Sequence, residues 1–129
     1  LLLKEQGELD LLVIPTGIAQ HAEQSIPALG NGFHVLCEKP VAGTVEEAVR
    51  MKQAKDRSGK ILAIGYQDIV SPTIQRINTI TQEQSLGKLL SAKTIGLFPR
   101  DSSYYGRNSW AGKMEVNGVK IFDSPLQNP

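Results

Sequence analysis

The chain has 129 residues, 40% of them hydrophobic and 21% charged, which is enough apolar content for about one packed domain. The formal net charge is +1 and no like-charged run is present, which argues against a nucleic-acid partner. No apolar run approaches the ~20 residues that a membrane span needs, and the single Cys37 excludes an internal disulfide and a multi-cysteine metal site.

The opening LLLKEQGELD lacks the basic start and small-residue cleavage site of a signal peptide. It reads as the tail of a helix running into a strand, so the chain is expected to be a piece of a longer protein. Cys37 fits a reducing compartment, and the cytoplasm is the expected location. Residues 11–14 form a continuous apolar run between Asp10 and Pro15, which predicts a strand covered on both faces. In TGIAQHAEQSIPALGNG, Ala19, Ala22, Ile26 and Leu29 recur at helical spacing. Pro27 removes one backbone bond inside that helix, and Gly30 and Gly32 supply its stop. Residues 33–37 predict a second strand.

Glu38, Lys39 and Pro40 follow this strand as a turn. Thr44 and Glu47 then have capping-box spacing. The helix they open has Val45, Ala48, Val49 and Met51 on its apolar side, and Ser58-Gly59 closes it. Residues 61–65 predict a third buried strand. Strand, helix, strand, helix, strand with short connections makes a right-handed βαβαβ unit, half of a doubly wound α/β sheet.

The texture changes near residues 66–68, where a domain boundary is expected. Pro72 starts a helix after Ser71, with Ile74, Ile77 and Ile80 on one face and Leu86-Gly87 as its close. Residues 89–98 predict a longer strand. Beyond Pro99 the chain is rich in Tyr, Asn, Gly and Ser and carries the only Trp.

Ligands of an open parallel sheet bind beyond the carboxyl ends of its strands. Two such ends are visible. One is Pro15-Thr16-Gly17, leading to His21; the other is Glu38-Lys39-Pro40. A charged pair ending a buried strand is costly unless something satisfies or uses it. Pro40 fixes its own φ and so the direction in which Lys39 projects. Taken singly, Glu38 and Lys39 read equally well as a solvated pair, and His21 as a residue that packs or caps a helix start. Tyr104, Tyr105 and Trp110 read equally as core filling, as anchors of a long loop, or as a subunit contact.

Taken together, DLLVIPTGIAQHAEQSIPALGNGFHVLCEKPVAGTVEEA resembles the second half of the nucleotide-binding domain in the glucose–fructose oxidoreductase / inositol dehydrogenase family (Gfo/Idh/MocA). YYGRNSWAGKMEVNGVKIFDSP resembles a subgroup with sugar-related substrates. The resemblance implies residues 1–66 as the C-terminal half of an NAD(P)-binding Rossmann domain and residues 67–129 as the start of an α/β substrate domain. It implies NAD or NADP as cofactor, hydride transfer at a sugar-like alcohol, and a homo-oligomer at full length. Pro15, Thr16, Gly17, His21, Glu38, Lys39 and Pro40 are then expected at the cofactor. Lys39 and Asp123 are expected to be catalytic. Tyr105, Arg107, Asn108, Trp110 and Gln127 are expected at the substrate.

Two positions depart from the family pattern. Gly17 stands where relatives carry proline. Gln127 stands four residues after Asp123, where relatives carry the catalytic histidine, and glutamine does not titrate as imidazole does. Either Lys39 or another residue is the base, or the histidine lies beyond Pro129, or the protein does not perform the family chemistry. The glycine-rich phosphate loop and the acidic ribose-binding residue are not in these 129 residues, so NAD and NADP are not separated. The alternatives to a dehydrogenase are a non-catalytic dinucleotide-binding homologue and an NAD-using lyase or hydrolase on sugars.

Overall fold

The structure, a computed structural model, describes residues 9–121. Strand β1 (Leu11–Ile14) leads through a 3₁₀ turn (Ile18–Gln20) into helix α1 (His21–Gly30). Strand β2 (His34–Cys37), helix α2 (Val45–Ser58) and strand β3 (Leu62–Ile64) follow. The three strands are parallel in the order β1-β2-β3, with Ile14 beside Cys37 and Cys37 beside Ile64. This is the expected βαβαβ unit of a Rossmann-type α/β fold.

Local chemistry explains the boundaries of α2. The Thr44 hydroxyl accepts from the Glu47 amide at 3.1 Å, and the Glu47 carboxylate accepts from the Thr44 amide at 3.3 Å. Two otherwise unpaired donors of the first turn are thereby satisfied. The helix ends where Gly59 takes φ +67°, a conformation that costs other residues a Cβ clash.

The core lies on one face of the sheet. Ile14, Val35 and Cys37 pack with Ala22, Ala28 and Leu29 of α1 and with Met51 and Ala54 of α2. Both helices therefore cover the same face, as two right-handed crossovers in one direction require. The expectation of strands covered on both sides is corrected here: Leu11, Val13 and Leu36 on the second face are 49%, 60% and 37% exposed. Among the described residues only the segment from Tyr66 to Val70 borders that face, across a cleft. Two smaller corrections concern the helices. Val45 and Val49 are exposed, and Ala54 takes the core position that the apolar spacing assigned to them. In α1 the buried stripe runs through His21, Ala22, Ser25, Ala28 and Leu29, while Ala19 and Ile26 are half-buried.

After β3 the chain makes a 3₁₀ turn (Gln67–Val70) and enters α3 (Pro72–Gln82), capped by the Ser71 hydroxyl with Pro72 in the first turn. The helix stops at Gln82, before the expected close at Leu86-Gly87. Residues 89–98 are exposed and form no strand. A strand exists only through its ladder, and apolar residues in sequence do not supply a partner. Helix α4 (Ser102–Gly106) and a hairpin, β4 (Glu115–Val116) with β5 (Val119–Lys120), complete the described chain. The hairpin turns through Asn117 and Gly118, both at positive φ, which is the Asn-Gly signature of a tight hairpin. The sequence reading passed over this signal.

Candidate active site

The mouth of the sheet is built by the two loops that leave β1 and β2. The Glu38 amide donates to the Ile14 carbonyl at 3.0 Å, and the Gly65 amide donates to the Cys37 carbonyl at 2.8 Å. These bonds carry the parallel ladder one residue past each strand and bring Pro15, Glu38 and Gly65 to one edge. Gly65 carries no side chain where the Glu38 carboxylate lies, since a Cβ there would sit 3.3 Å from it. The Lys39 amide donates to the Glu38 carboxylate at 3.0 Å, and the Lys39–Pro40 bond is cis. Lys39 is exposed and makes no salt bridge among the described residues. It is a free cation at the carboxyl edge of a parallel sheet.

The β1 loop is fixed from α1. The Thr16 hydroxyl donates to the Gln24 side chain at 3.0 Å, and the Gln20 amide donates to the Gly17 carbonyl at 2.9 Å. His21 is fully buried; its Nδ1 lies 2.8 Å from the Pro40 carbonyl oxygen and its Nε2 3.0 Å from that of Thr16. Behind the edge, burial pushes the Cys37 thiol up from its ordinary range, against a smaller opposing effect of Ser25, and the Glu38 charge adds to the rise. Cys37 is held as a thiol, not as a nucleophile.

Two clefts flank the mouth. One, of about 490 Å³, runs under Pro15 and Glu38 along Val13 and Leu36 of the open sheet face to Tyr66 and Val70. The other, of about 350 Å³, lies between Gly17–Gln20 and the segment with Trp110, Val116 and Ile121. That segment is seated on the mouth loops: a Cβ at Gly43 would come 2.1 Å from the Ile121 carbonyl oxygen. Ile18, Ile121, Trp110 and Val116 make a small apolar cluster there.

Of the expected substrate residues, Trp110 lines the second cleft. The Arg107 guanidinium lies 3.7 Å from the Tyr104 ring centroid and 5.8 Å from that of Trp110. Arg100 lies 4.3 Å from the Tyr104 ring. Arg107, and less so Arg100, hold the Tyr104 phenol below its ordinary range. Tyr105 meets Tyr104 edge to face at 5.3 Å. The Asn108 side-chain oxygen Oδ1 is occupied, accepting from the Trp110 and Ala111 amides at 3.1 and 2.7 Å. Asp123 and Gln127 lie outside the described residues. Among the described residues no cluster of His, Cys, Asp and Glu has metal-binding geometry. No helix there is long and apolar enough to cross a membrane.

Residues 2–66 match the Gfo/Idh/MocA family, an oxidoreductase family with an NAD-binding Rossmann fold. The chain belongs to this family. A curated Gfo/Idh/MocA-like relative is 1-carboxy-3-chloro-3,4-dihydroxycyclohexa-1,5-diene dehydrogenase of Comamonas testosteroni, 32% identical over 94% of this chain and 30% of its own. Another is glucose-6-phosphate 3-dehydrogenase of Bacillus subtilis, 34% identical over 57% of this chain and 21% of its own. Among solved structures, the WlbA dehydrogenase of Chromobacterium violaceum, in complex with NADH and UDP-GlcNAcA, superposes with TM-score 0.71 at 28% identity. That alignment covers 86% of this chain and 32% of the other. The chain thus spans less than a third of the length of these relatives.

Proposed function

We propose that the full-length protein is an NAD(P)-dependent oxidoreductase that transfers hydride to or from a sugar or sugar-like alcohol bearing an acidic group. The observation that carries this reading is Lys39: an exposed cation with no salt bridge among the described residues, at the carboxyl edge of a Rossmann-type sheet in a chain of the Gfo/Idh/MocA family. Residues 1–66 then belong to the nucleotide-binding domain and residues 67–129 to the start of the substrate domain. The family match, ending at residue 66, supports that division.

The residues fit one end of a dinucleotide. Pro15, Thr16, Gly17, Glu38, Lys39 and Pro40 border the mouth, and a cleft of about 490 Å³ opens beside Pro15 and Glu38. The pyrophosphate end has no glycine-rich loop in these 129 residues. When bound, the cofactor supplies the hydride donor or acceptor. Lys39 stabilises the negative charge that develops on the substrate oxygen, the point at which a fixed cation lowers the barrier most. Asp123 follows the family's acid position and is proposed to share the proton with Lys39. Trp110 and Tyr105 offer apolar faces to sugar C–H surfaces.

Arg107 supports the acidic-substrate part. It has no carboxylate partner among the described residues, and a planar guanidinium suits a carboxylate or phosphate. The three relatives above act on or bind molecules that carry a carboxyl or phosphate group. The test is a spectrophotometric assay of the full-length protein with NAD⁺ and NADP⁺ against UDP-GlcNAcA, glucose 6-phosphate, a uronic acid and myo-inositol. Cofactor reduction with an acidic compound is expected. Turnover on myo-inositol alone removes the acidic part, and failure to bind either cofactor removes the whole reading.

A further inference from the structure

We infer that His21 is a positioning residue that ties the two mouth loops together and thereby sets the turn carrying Lys39, and that it does not contact the cofactor. This rests on the oxidoreductase reading for its kinetic consequence, but not for its geometry. The ring is fully buried. Both of its nitrogens are engaged, Nδ1 with the Pro40 carbonyl oxygen at 2.8 Å and Nε2 with the Thr16 carbonyl oxygen at 3.0 Å. No ring nitrogen is left to meet a ligand. The two carbonyls belong to different loops, one after β1 and one after β2, so a single ring spans the carboxyl edge.

The backbone on either side of Lys39 is thereby anchored. Before it, the Glu38 amide is bonded to Ile14 of β1. After it, the Pro40 carbonyl is bonded to His21 at the start of α1. Lys39 itself is exposed, so its direction depends on these two neighbours.

The chemistry of the bridge is one-sided. A carbonyl oxygen only accepts, whereas a neutral imidazole has one donor and one acceptor. A neutral ring can bond one loop and must turn a lone pair towards the other carbonyl. The doubly protonated ring donates to both. The ionisable groups on the surrounding segments are Glu23 on its own helix, Cys37, Glu38 and Lys39 on the strand and turn, and Glu47 at the head of α2. None of them is hydrogen-bonded or ion-paired to the ring. The two loop carbonyls alone hold it.

The experiment compares wild type with His21→Leu and His21→Asn in the full-length protein. Cofactor affinity is read by NADH fluorescence titration and turnover with the best substrate of the assay above. A positioning residue predicts a fall in kcat of tenfold or more with the cofactor dissociation constant within about twofold of wild type. His21→Asn, which keeps one donor, is expected to fall between His21→Leu and wild type. A tenfold loss of cofactor affinity with kcat spared overturns the inference and makes His21 a cofactor ligand. Unchanged values of both also overturn it. Where the variants do not fold, ring ¹⁵N NMR of the cofactor-free wild type decides. A ring N–H protected from exchange is expected; rapid exchange of the ring N–H overturns the bridge. A wild type that neither binds cofactor nor turns over has failed the oxidoreductase reading instead, and the NMR result still settles His21.

Discussion

Lys39 and Arg107 are cations with no carboxylate within salt-bridge distance among the described residues, whereas Arg50, Lys52 and Lys55 on α2 each have one. The α2 pairs are exposed and contribute little to stability. Lys39 and Arg107 are both exposed, so under the proposed function their loss should register in kinetics more than in folding. In the full-length protein, Lys39→Ala is expected to lower kcat about a hundredfold, the scale of removing one charge-stabilising group. The melting temperature should stay within a degree or two. Near-normal turnover in that variant would remove Lys39 from the mechanism. Arg107→Lys is expected to raise KM for an acidic sugar with cofactor affinity unchanged, because an ammonium does not reproduce a bidentate fork. Loss of cofactor affinity in place of the KM effect would remove Arg107 from the proposed substrate contacts. The site was partly legible in sequence: the Glu38-Lys39-Pro40 turn at a strand end marked the mouth. The two-sided engagement of His21 was not, because its partners are backbone carbonyls 5 and 19 residues away, and no side-chain pattern announces them.

The elements divide by how local their causes are. The capping box of Thr44 and Glu47, the Gly59 stop and the Ser71-Pro72 start were all readable, because each is decided within four or five residues. Thr44→Ala tests the first of these. It leaves an amide of the first turn without its acceptor, and α2 supplies Met51 and Ala54 to the core. A loss of about 1 kcal/mol is expected in urea unfolding, with the slope of the transition unchanged. A loss below a few tenths would mean that water replaces the hydroxyl at no cost. Features set by distant partners were misread. Residues 89–98 were expected as a longer strand, yet no neighbouring strand among the described residues receives them. Val45 and Val49 are apolar but point away from the sheet, and the smaller Ala54 fits beneath α2. The hairpin at Asn117-Gly118 was local and therefore readable; the aromatic residues before it drew the sequence reading towards ligand contacts.

At the scale of the whole molecule, the sheet is finished on one face and open on the other. On the open face Val13, Leu36 and Ala63 lie side by side across three strands, and Leu11 and Val13 are 49% and 60% exposed. A contiguous apolar surface of this kind is an association site when nothing covers it. The chain spans 30% of its Comamonas relative and 32% of the solved WlbA dehydrogenase. A polypeptide of these 129 residues alone is therefore expected to bind an apolar dye and to self-associate on size-exclusion chromatography. It should also bind NAD(P) too weakly to measure. A dinucleotide's pyrophosphate is ordinarily held by backbone amides of a glycine loop at a helix N-terminus, and no Gly-x-Gly-x-x-Gly run occurs in this sequence. Under the proposed function the mouth residues Pro15, Thr16 and Glu38 would meet only the other end of such a ligand. Calorimetry on the 129-residue polypeptide should show no saturable heat with NADH up to millimolar concentration. Micromolar binding there would mean that the two mouth loops suffice to hold the cofactor, and the division of labour between the glycine loop and the mouth would have to be redrawn.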